Sequence, residues 1–279
     1  MPELPEIETV RRDLEGSITH AKITKVMAND PLIMAPAESR RLRQALKDQT
    51  IVSLERCGKV LIINVSGGHS VLQRFGMTGQ MYPEPSRGAL PPHTRMVWEL
   101  ADGRRLVYRD ARRFGETRLV ATESLAGVLR EECRLGHDAL EAQLSDREFL
   151  ALLADHRIPI KNFLLDQRHL TGIGNIYAAE ILHRARVNPE TPANALTPAQ
   201  ARAILKQTRL VLAEAVAAQG TTISDYRTGE NETGGFQKFL RVYGRAGEGC
   251  LRRGCKGKIA RIVQSGRSTF YCPTCQPPT

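Results

Sequence analysis

The chain has 279 residues, 41% hydrophobic and 25% charged, an ordinary balance for a folded protein with room for two cores. Forty Lys and Arg against thirty Asp and Glu leave a net charge of +10, which suits a polyanion such as nucleic acid, although basic proteins without such a partner are common. No apolar run approaches the ~20 residues that span a bilayer. The acidic start Met1-Pro-Glu-Leu-Pro-Glu6 has no apolar signal-peptide stretch, so a cytoplasmic location is expected, where clustered cysteines bind metal more often than they pair.

Leu4, Ile7, Val10 and Leu14 recur at helical spacing, with Pro5 near the start and Gly16 expected just past the end of a first helix, 4–15. From about 22 to 122 short strand-like runs follow at 51–55, 60–65, 71–75, 96–100, 106–108 and 117–120. Gly67-Gly68, Pro91-Pro92 and Asp102-Gly103 punctuate them, the pattern of a β-sandwich or barrel. A helix near 37–46 interrupts the run. Beyond Leu135 the pattern is helical. Ser145 with Glu148, and Thr197 with Gln200, read as capping boxes, and the second opens a helix carrying Ile204, Leu205, Val211, Leu212, Ala215 and Val216 that Gly220 closes. Between them, 171–176 reads as a glycine-bearing turn joining two helices. Residues 221–235 are polar and glycine-rich and read as a mobile loop.

Cys250, Cys255, Cys272 and Cys275 form two close pairs a hairpin's length apart, a spacing that lets four thiolates converge on one structural Zn²⁺. Two disulfides or four independent thiols are the alternatives. Cys57 and Cys133 have no partner at ligand spacing and are expected to be buried small residues. Nine Lys or Arg and one acid, Glu248, lie between Lys238 and Arg267. A module of some thirty residues has too little core to fold unaided, so zinc would stabilise it and leave a rigid basic hairpin suited to phosphates.

The Gly-x-Gly-Asn turn ending at Asn175 opens a helix where backbone N–H groups and the helix dipole favour a phosphate, although glycines often end helices for steric reasons alone. At the end of a strand, Arg112 and Arg113 precede Phe114. They offer either a cation and a flat wedge to a base stack, or a solvent-facing arginine pair beside a core ring.

Several of these segments carry a resemblance. The start Met1-Pro-Glu-Leu-Pro-Glu-Ile-Glu-Thr9 closely resembles that of the formamidopyrimidine-DNA glycosylases, bacterial enzymes that remove 8-oxoguanine and ring-opened purines. The likeness continues through Gly58-Lys59, Gly76-Met-Thr-Gly79, Asp110-Ala-Arg-Arg-Phe-Gly115, Ile160-Lys161, Gly172-Ile-Gly-Asn-Ile-Tyr177, Tyr243-Gly244 and the four cysteines. It implies an α+β fold: an N-terminal β-sandwich flanked by helices (1–135), a helix-two-turn-helix domain (136–240) and a zinc-finger β-hairpin (241–279). It also implies a monomer acting on double-stranded DNA with oxidised purines or abasic sites, in a bacterial cytoplasm at the nucleoid.

By the same resemblance, removal of Met1 frees Pro2, whose secondary amine attacks C1′ of the deoxyribose and expels the base. The resulting iminium acidifies the C2′ hydrogen and the strand is cut by β,δ-elimination. A retained Met1 would acylate that nitrogen and block the reaction. Glu3 is the carboxylate that moves protons at the sugar ring oxygen. Lys59 contacts the lesion's phosphate and assists proton transfer, and Arg267 with Asn175 pinches the flanking phosphates. Glu6 positions the terminus and counts with Lys161, Tyr243 and Arg74 among the DNA-binding set, while Met77, Arg112 and Phe114 fill the void left by a flipped nucleotide.

Two departures stand out. Four residues, 251–254, separate the first cysteine pair where relatives place two, and a bulge with retained zinc is expected. Arg74 stands where relatives often carry histidine. The rivals are the related endonuclease eight type, which prefers oxidised pyrimidines, and a non-catalytic zinc-finger protein. Leu4 and the Met77, Arg112, Phe114 trio speak against the first, and Pro2, Glu3 and Lys59 against the second.

Overall fold

A computed structural model describes residues 2–28 and 30–278. Met1, whose removal is expected to free the Pro2 nitrogen, lies outside the described residues. The chain folds into two compact units, one built from 2–134 and 216–237, the other from 135–215 and 238–278.

The first unit opens with α1 (Leu4–Ile18), followed by β1 (Ile23–Ala28), α2 (Pro36–Leu46), β2 (Ile51–Cys57), β3 (Val60–Val65), β4 (His69–Arg74), β5 (Gln80–Pro85), β6 (Thr94–Leu100), β7 (Arg104–Arg109) and β8 (Glu116–Ala121). Two four-stranded antiparallel sheets result, ordered β1-β6-β7-β5 and β2-β3-β4-β8. Trp98, Leu106 and Tyr108 from one sheet and Leu61, Ile63 and Val71 from the other share a single core, joined by Ile7, Val10, Leu14 and Ile18 of α1 and Leu42 and Leu46 of α2. This is the expected sandwich flanked by helices.

Two strands of this unit, β1 and β5, lack a clear sequence signal, and both are edges. Pro83 and Pro85 disguise β5, but an edge strand tolerates proline because the missing N–H has no ladder partner. A register shift between Ile23 and Lys25 breaks the alternation of β1. Helix α1 runs through Gly16 rather than stopping before it. Burial of Ile18 (0% exposed) in the core outweighs the ~1 kcal/mol that an interior glycine costs a helix.

A helical turn, α3 (Leu125–Gly127), leads out of the sandwich. The second unit holds β9 (His137–Asp138), α4 (Asp146–Ala154), α5 (Ile160–Leu165), β10 (Leu170–Thr171), α6 (Asn175–Ala185) and most of α7 (Pro198–Ala217). Both expected capping boxes form: Ser145 N–H donates to Glu148 Oε2 at 2.8 Å, and Thr197 N–H to Gln200 Oε1 at 2.9 Å, each with the reciprocal bond. The antiparallel hairpin β11 (Ala260–Gln264) and β12 (Arg267–Tyr271) ends the fold. Its two-residue turn has positive φ at both Ser265 (47°) and Gly266 (74°), the geometry that matches strand twist.

Candidate active site and metal centre

Pro2 and Glu3 are buried at the head of α1, where Glu3 is the residue preceding the first helical turn and Pro5 occupies that turn. Proline suits this position because its nitrogen has no helical acceptor to lose. Glu6, 1% exposed, ties the terminus down: one carboxylate oxygen accepts Glu3 N–H at 2.8 Å and the other accepts Thr221 N–H at 2.6 Å. Gly220 makes that approach possible. Its φ is +77°, and a Cβ there would sit 2.9 Å from Glu6 Oε1.

The segment read as a mobile loop is therefore anchored along α1. Gly229 N–H donates to Asp13 Oδ2 at 2.9 Å, and the buried Tyr226 hydroxyl reaches Gln219 O at 3.1 Å. Burial, reinforced by the Glu6 charge, pushes that phenol well above its ordinary range. Only 223–225 and 230–233 stand exposed, Ile223 among them at 58%.

Lys59 sits in the tight Gly58-Lys59 turn between β2 and β3, with Gly58 at φ +56°. Arg56, buried at the end of β2, donates from Nε to Glu8 Oε2 at 3.1 Å and from Nη1 to Gly58 O at 3.3 Å. Burial alone would raise the Glu8 carboxyl. Hydrogen bonds from Arg11 and Arg12 and the nearby Arg11 and Arg56 charges hold it down at about 2 instead.

Met77 (39% exposed) and Phe114 (58%) project from two loops, with the Arg112 guanidinium 4.7 Å from the centre of the Phe114 ring. Phe114 is thus not a core ring. One buried carboxylate organises both loops: Asp110 accepts from Thr78 Oγ1, from Arg112 N at 3.2 Å and from Gly115 N at 2.8 Å. The loops also meet backbone to backbone, since a Cβ at Gly76 would lie 2.4 Å from the Phe114 carbonyl carbon. Within the Asp110–Gly115 motif, nothing local in the sequence marks Asp110 for this role beyond an acid at the end of a buried strand. Arg74, at the end of β4, faces Glu116 at 3.7 Å and is 41% exposed along its side chain.

In the second unit, Asn175 begins α6 and donates from Nδ2 to Ser268 O at 2.9 Å. Lys161 on α5 is fully buried, its ammonium donating to Thr269 Oγ1 at 2.6 Å and Ser268 O at 3.2 Å. Both side chains therefore seat β12 beside Arg267, which is exposed. Glu180, fully buried on α6, was not singled out by the sequence. Its carboxylate collects the N–H groups of Arg241, Val242 and Tyr243 at 2.9–3.0 Å and so fixes the approach to the hairpin, where the Tyr243 ring packs 5.1 Å from Phe270.

The four expected cysteines converge, their sulfur atoms all within 4.8 Å of one another. Cys250–Cys275 and Cys255–Cys272 separations are 3.8 and 3.7 Å. A tetrahedral site with ~2.3 Å Zn–S bonds requires sulfurs about 3.8 Å apart, so the residues fit zinc. The Gly257 N–H, at 3.3 Å, holds the partly buried Cys255 thiol down at about 7, whereas burial and neighbouring thiols push Cys275 up to about 12. The longer first knuckle closes as a turn, with Cys255 N–H on Arg252 O at 3.0 Å and Gly254 at φ +79°. Arg252 Nη2 caps α6 at His183 O, 2.6 Å away. Cys57 and Cys133 are only partly buried, contrary to expectation: Cys57 ends a strand beside the Gly58 turn, and Cys133 lies within reach of Arg118 Nη1 at 3.7 Å.

Sandwich, paired helices and cysteine-flanked hairpin together define the modules of a zinc-finger DNA-repair glycosylase. Three family models match in order: the formamidopyrimidine-DNA glycosylase N-terminal domain over residues 1–117, its H2TH domain over 135–227, and the zinc finger found in FPG and IleRS over 247–278. The chain is 40% identical over 277 residues to a formamidopyrimidine-DNA glycosylase of Pelotomaculum thermopropionicum, covering 99% of each. It is 41% identical over 297 residues to that of Methylorubrum extorquens, covering 99% of this chain and 98% of the relative. Among solved structures it is similar to Lactococcus lactis Fpg in complex with DNA containing an abasic site, with a TM-score of 0.92 at 30% identity over 99% of this chain and all of that one. The chain belongs to the formamidopyrimidine-DNA glycosylase family. Among the described residues, no helix is long and apolar enough to cross a membrane.

Proposed function

We propose that the chain is a bifunctional DNA glycosylase and abasic-site lyase that removes oxidised purines, 8-oxoguanine and formamidopyrimidines, from double-stranded DNA as a monomer in the bacterial cytoplasm. The observation that carries this reading is Pro2 beside Glu3 at the head of α1, with Glu6 fixing the backbone of Glu3. Lactococcus lactis Fpg has been captured with DNA carrying a benzylated Fapy-dG lesion and with DNA carrying an oxidised pyrimidine.

Once Met1 is removed, the Pro2 nitrogen is a free secondary amine. An α-amine titrates roughly two units or more below lysine, so more of it is unprotonated near neutrality. Its lone pair forms a bond to C1′ as the glycosidic bond breaks; the proline nitrogen gives up its proton, and one proton leaves with the base. Glu3 protonates the ring oxygen as the C1′–O bond opens, leaving the iminium. Loss of the C2′ proton then expels the 3′ phosphate, and a second elimination expels the 5′ phosphate. Lys59 steadies the lesion's phosphate and helps move protons, Arg267 and Asn175 hold the flanking phosphates, and Met77, Arg112 and Phe114 occupy the gap in the stack. Tyr243, Arg74 and Lys161 complete the DNA-binding set, Lys161 by seating the hairpin. One Zn²⁺ on Cys250, Cys255, Cys272 and Cys275 would be structural, because four thiolates leave no open position for water.

Single-turnover excision from matched duplexes bearing 8-oxoguanine, a formamidopyrimidine or an oxidised pyrimidine tests the substrate class. Fastest release of the purine lesions is expected. Preference for the pyrimidine would move the chain to the endonuclease eight type of activity.

A further inference from the structure

The reacting groups of the proposed site stand on different elements, Pro2 and Glu3 at the head of α1 and Lys59 in the β2–β3 turn. Catalytic groups must be held to within about 0.5 Å of their working geometry. A buried ion pair joins the two elements. The Glu8 side chain is 6% exposed and that of Arg56 is 0% exposed, with Nε and Oε2 3.1 Å apart. The same guanidinium donates from Nη1 to the carbonyl of Gly58, the residue immediately before Lys59. On the helix side, Arg11 Nη2 at 3.0 Å and Arg12 Nε at 2.7 Å also clamp Glu8.

Buried ion pairs are weak sources of net stability, because desolvation cancels most of the attraction and apolar replacements of like size are often neutral or better. Their best-attested use is to fix register. Here the pair spans the junction between the element that carries Pro2 and Glu3 and the turn that carries Lys59. We propose that Glu8 and Arg56 are positioning residues for the reaction, setting the Gly58-Lys59 turn against the terminus that carries Pro2 and Glu3. The inference rests on the assignment of Pro2, Glu3 and Lys59 made above.

The test uses the full zinc-loaded chain with Met1 removed, comparing the parent with Arg56→Lys and with a Glu8→Met, Arg56→Met double variant. Melting temperature, affinity for lesion duplex, single-turnover base release and borohydride trapping are measured for each. The double variant removes both buried charges, leaving Arg11 paired with Glu15 and Arg12 open to solvent, so it is expected to melt near the parent and to bind lesion DNA within about twofold, yet to release base about tenfold to a hundredfold more slowly. Arg56→Lys covers the case in which the double variant does not fold. It keeps the charge and loses the fork that reaches Gly58 O, and release about tenfold slower at parental melting temperature is expected. Base release at the parental rate by a folded variant overturns the inference alone. A parent that forms no adduct at residue 2 overturns the functional reading, and this inference with it.

Discussion

Lys161 donates from Nζ to Thr269 Oγ1 at 2.6 Å although no part of the lysine is exposed. A buried ammonium is costly unless its donors are satisfied, and the Thr269 hydroxyl and the Ser268 carbonyl both accept from this one. The energy is spent on placing β12, and with it Arg267, against α5 and α6. Lys161→Met is therefore expected to cost roughly 1.5–3 kcal/mol of stability and to weaken undamaged and lesion duplexes alike. Arg267→Ala should weaken both as well and make the slope of log K against log salt shallower by about one. Binding curves over a salt series check this. Loss confined to lesion DNA in Lys161→Met would show that Nζ reaches the substrate instead.

Metal content follows from the thiolate geometry. About one Zn²⁺ per chain is expected by elemental analysis, and Cys272→Ser should abolish DNA binding while the sandwich keeps its cooperative melt. The two units have separate cores, which is why the damage should stay local. A metal-free chain with full DNA affinity contradicts the assignment.

Phe114 separates wedge from core. At 58% exposure, its truncation to alanine should change stability by no more than about 0.5 kcal/mol, while base release from lesion duplex drops and the salt slope stays unchanged. Destabilisation of ~3–5 kcal/mol, the cost of truncating a buried phenylalanine, would put the ring in the core.

The Glu8 carboxylate gives a pH signature. It titrates at about 2 in the folded chain against an ordinary 4.5. Between those values the unfolded chain binds more protons, so stability rises with pH through that window. The contribution is fully present above 4.5 and is lost as pH falls towards 2. Glu8→Gln should flatten the fall in urea midpoint between about pH 5 and pH 3. An identical fall in the variant would exclude Glu8 as its source.

Much of this molecule is legible in its sequence where one physical signal dominates. β3 matches its expected bounds because the continuous apolar run Val60 to Ile63 suits a strand buried along its whole length. The four cysteines announce their cluster by spacing alone. Local rules mislead where tertiary packing overrides them, as when Ile18 carries α1 past Gly16, or where position in the sheet excuses them, as in the prolines of β5. Residues that act through the backbone were the least visible. Asp110 meets the Thr78 hydroxyl, Glu180 the N–H groups of Arg241, Val242 and Tyr243, and Glu8 the Arg56 guanidinium, and an isolated acid in a sequence does not say which distant groups it will meet.

The claim at the centre is that residue 2 performs the chemistry, and covalent trapping reads it directly. The chain with Met1 removed is incubated with an 8-oxoguanine duplex and borohydride, and the adduct is peptide-mapped beside a form retaining Met1. A Pro2 nucleophile predicts reduced sugar on residue 2 and no adduct when Met1 remains, because an amide nitrogen does not attack. Glu3→Gln should bind the duplex yet barely release base. An adduct that forms equally well with Met1 in place would contradict the assignment and move the nucleophile to a lysine, with Lys59 first.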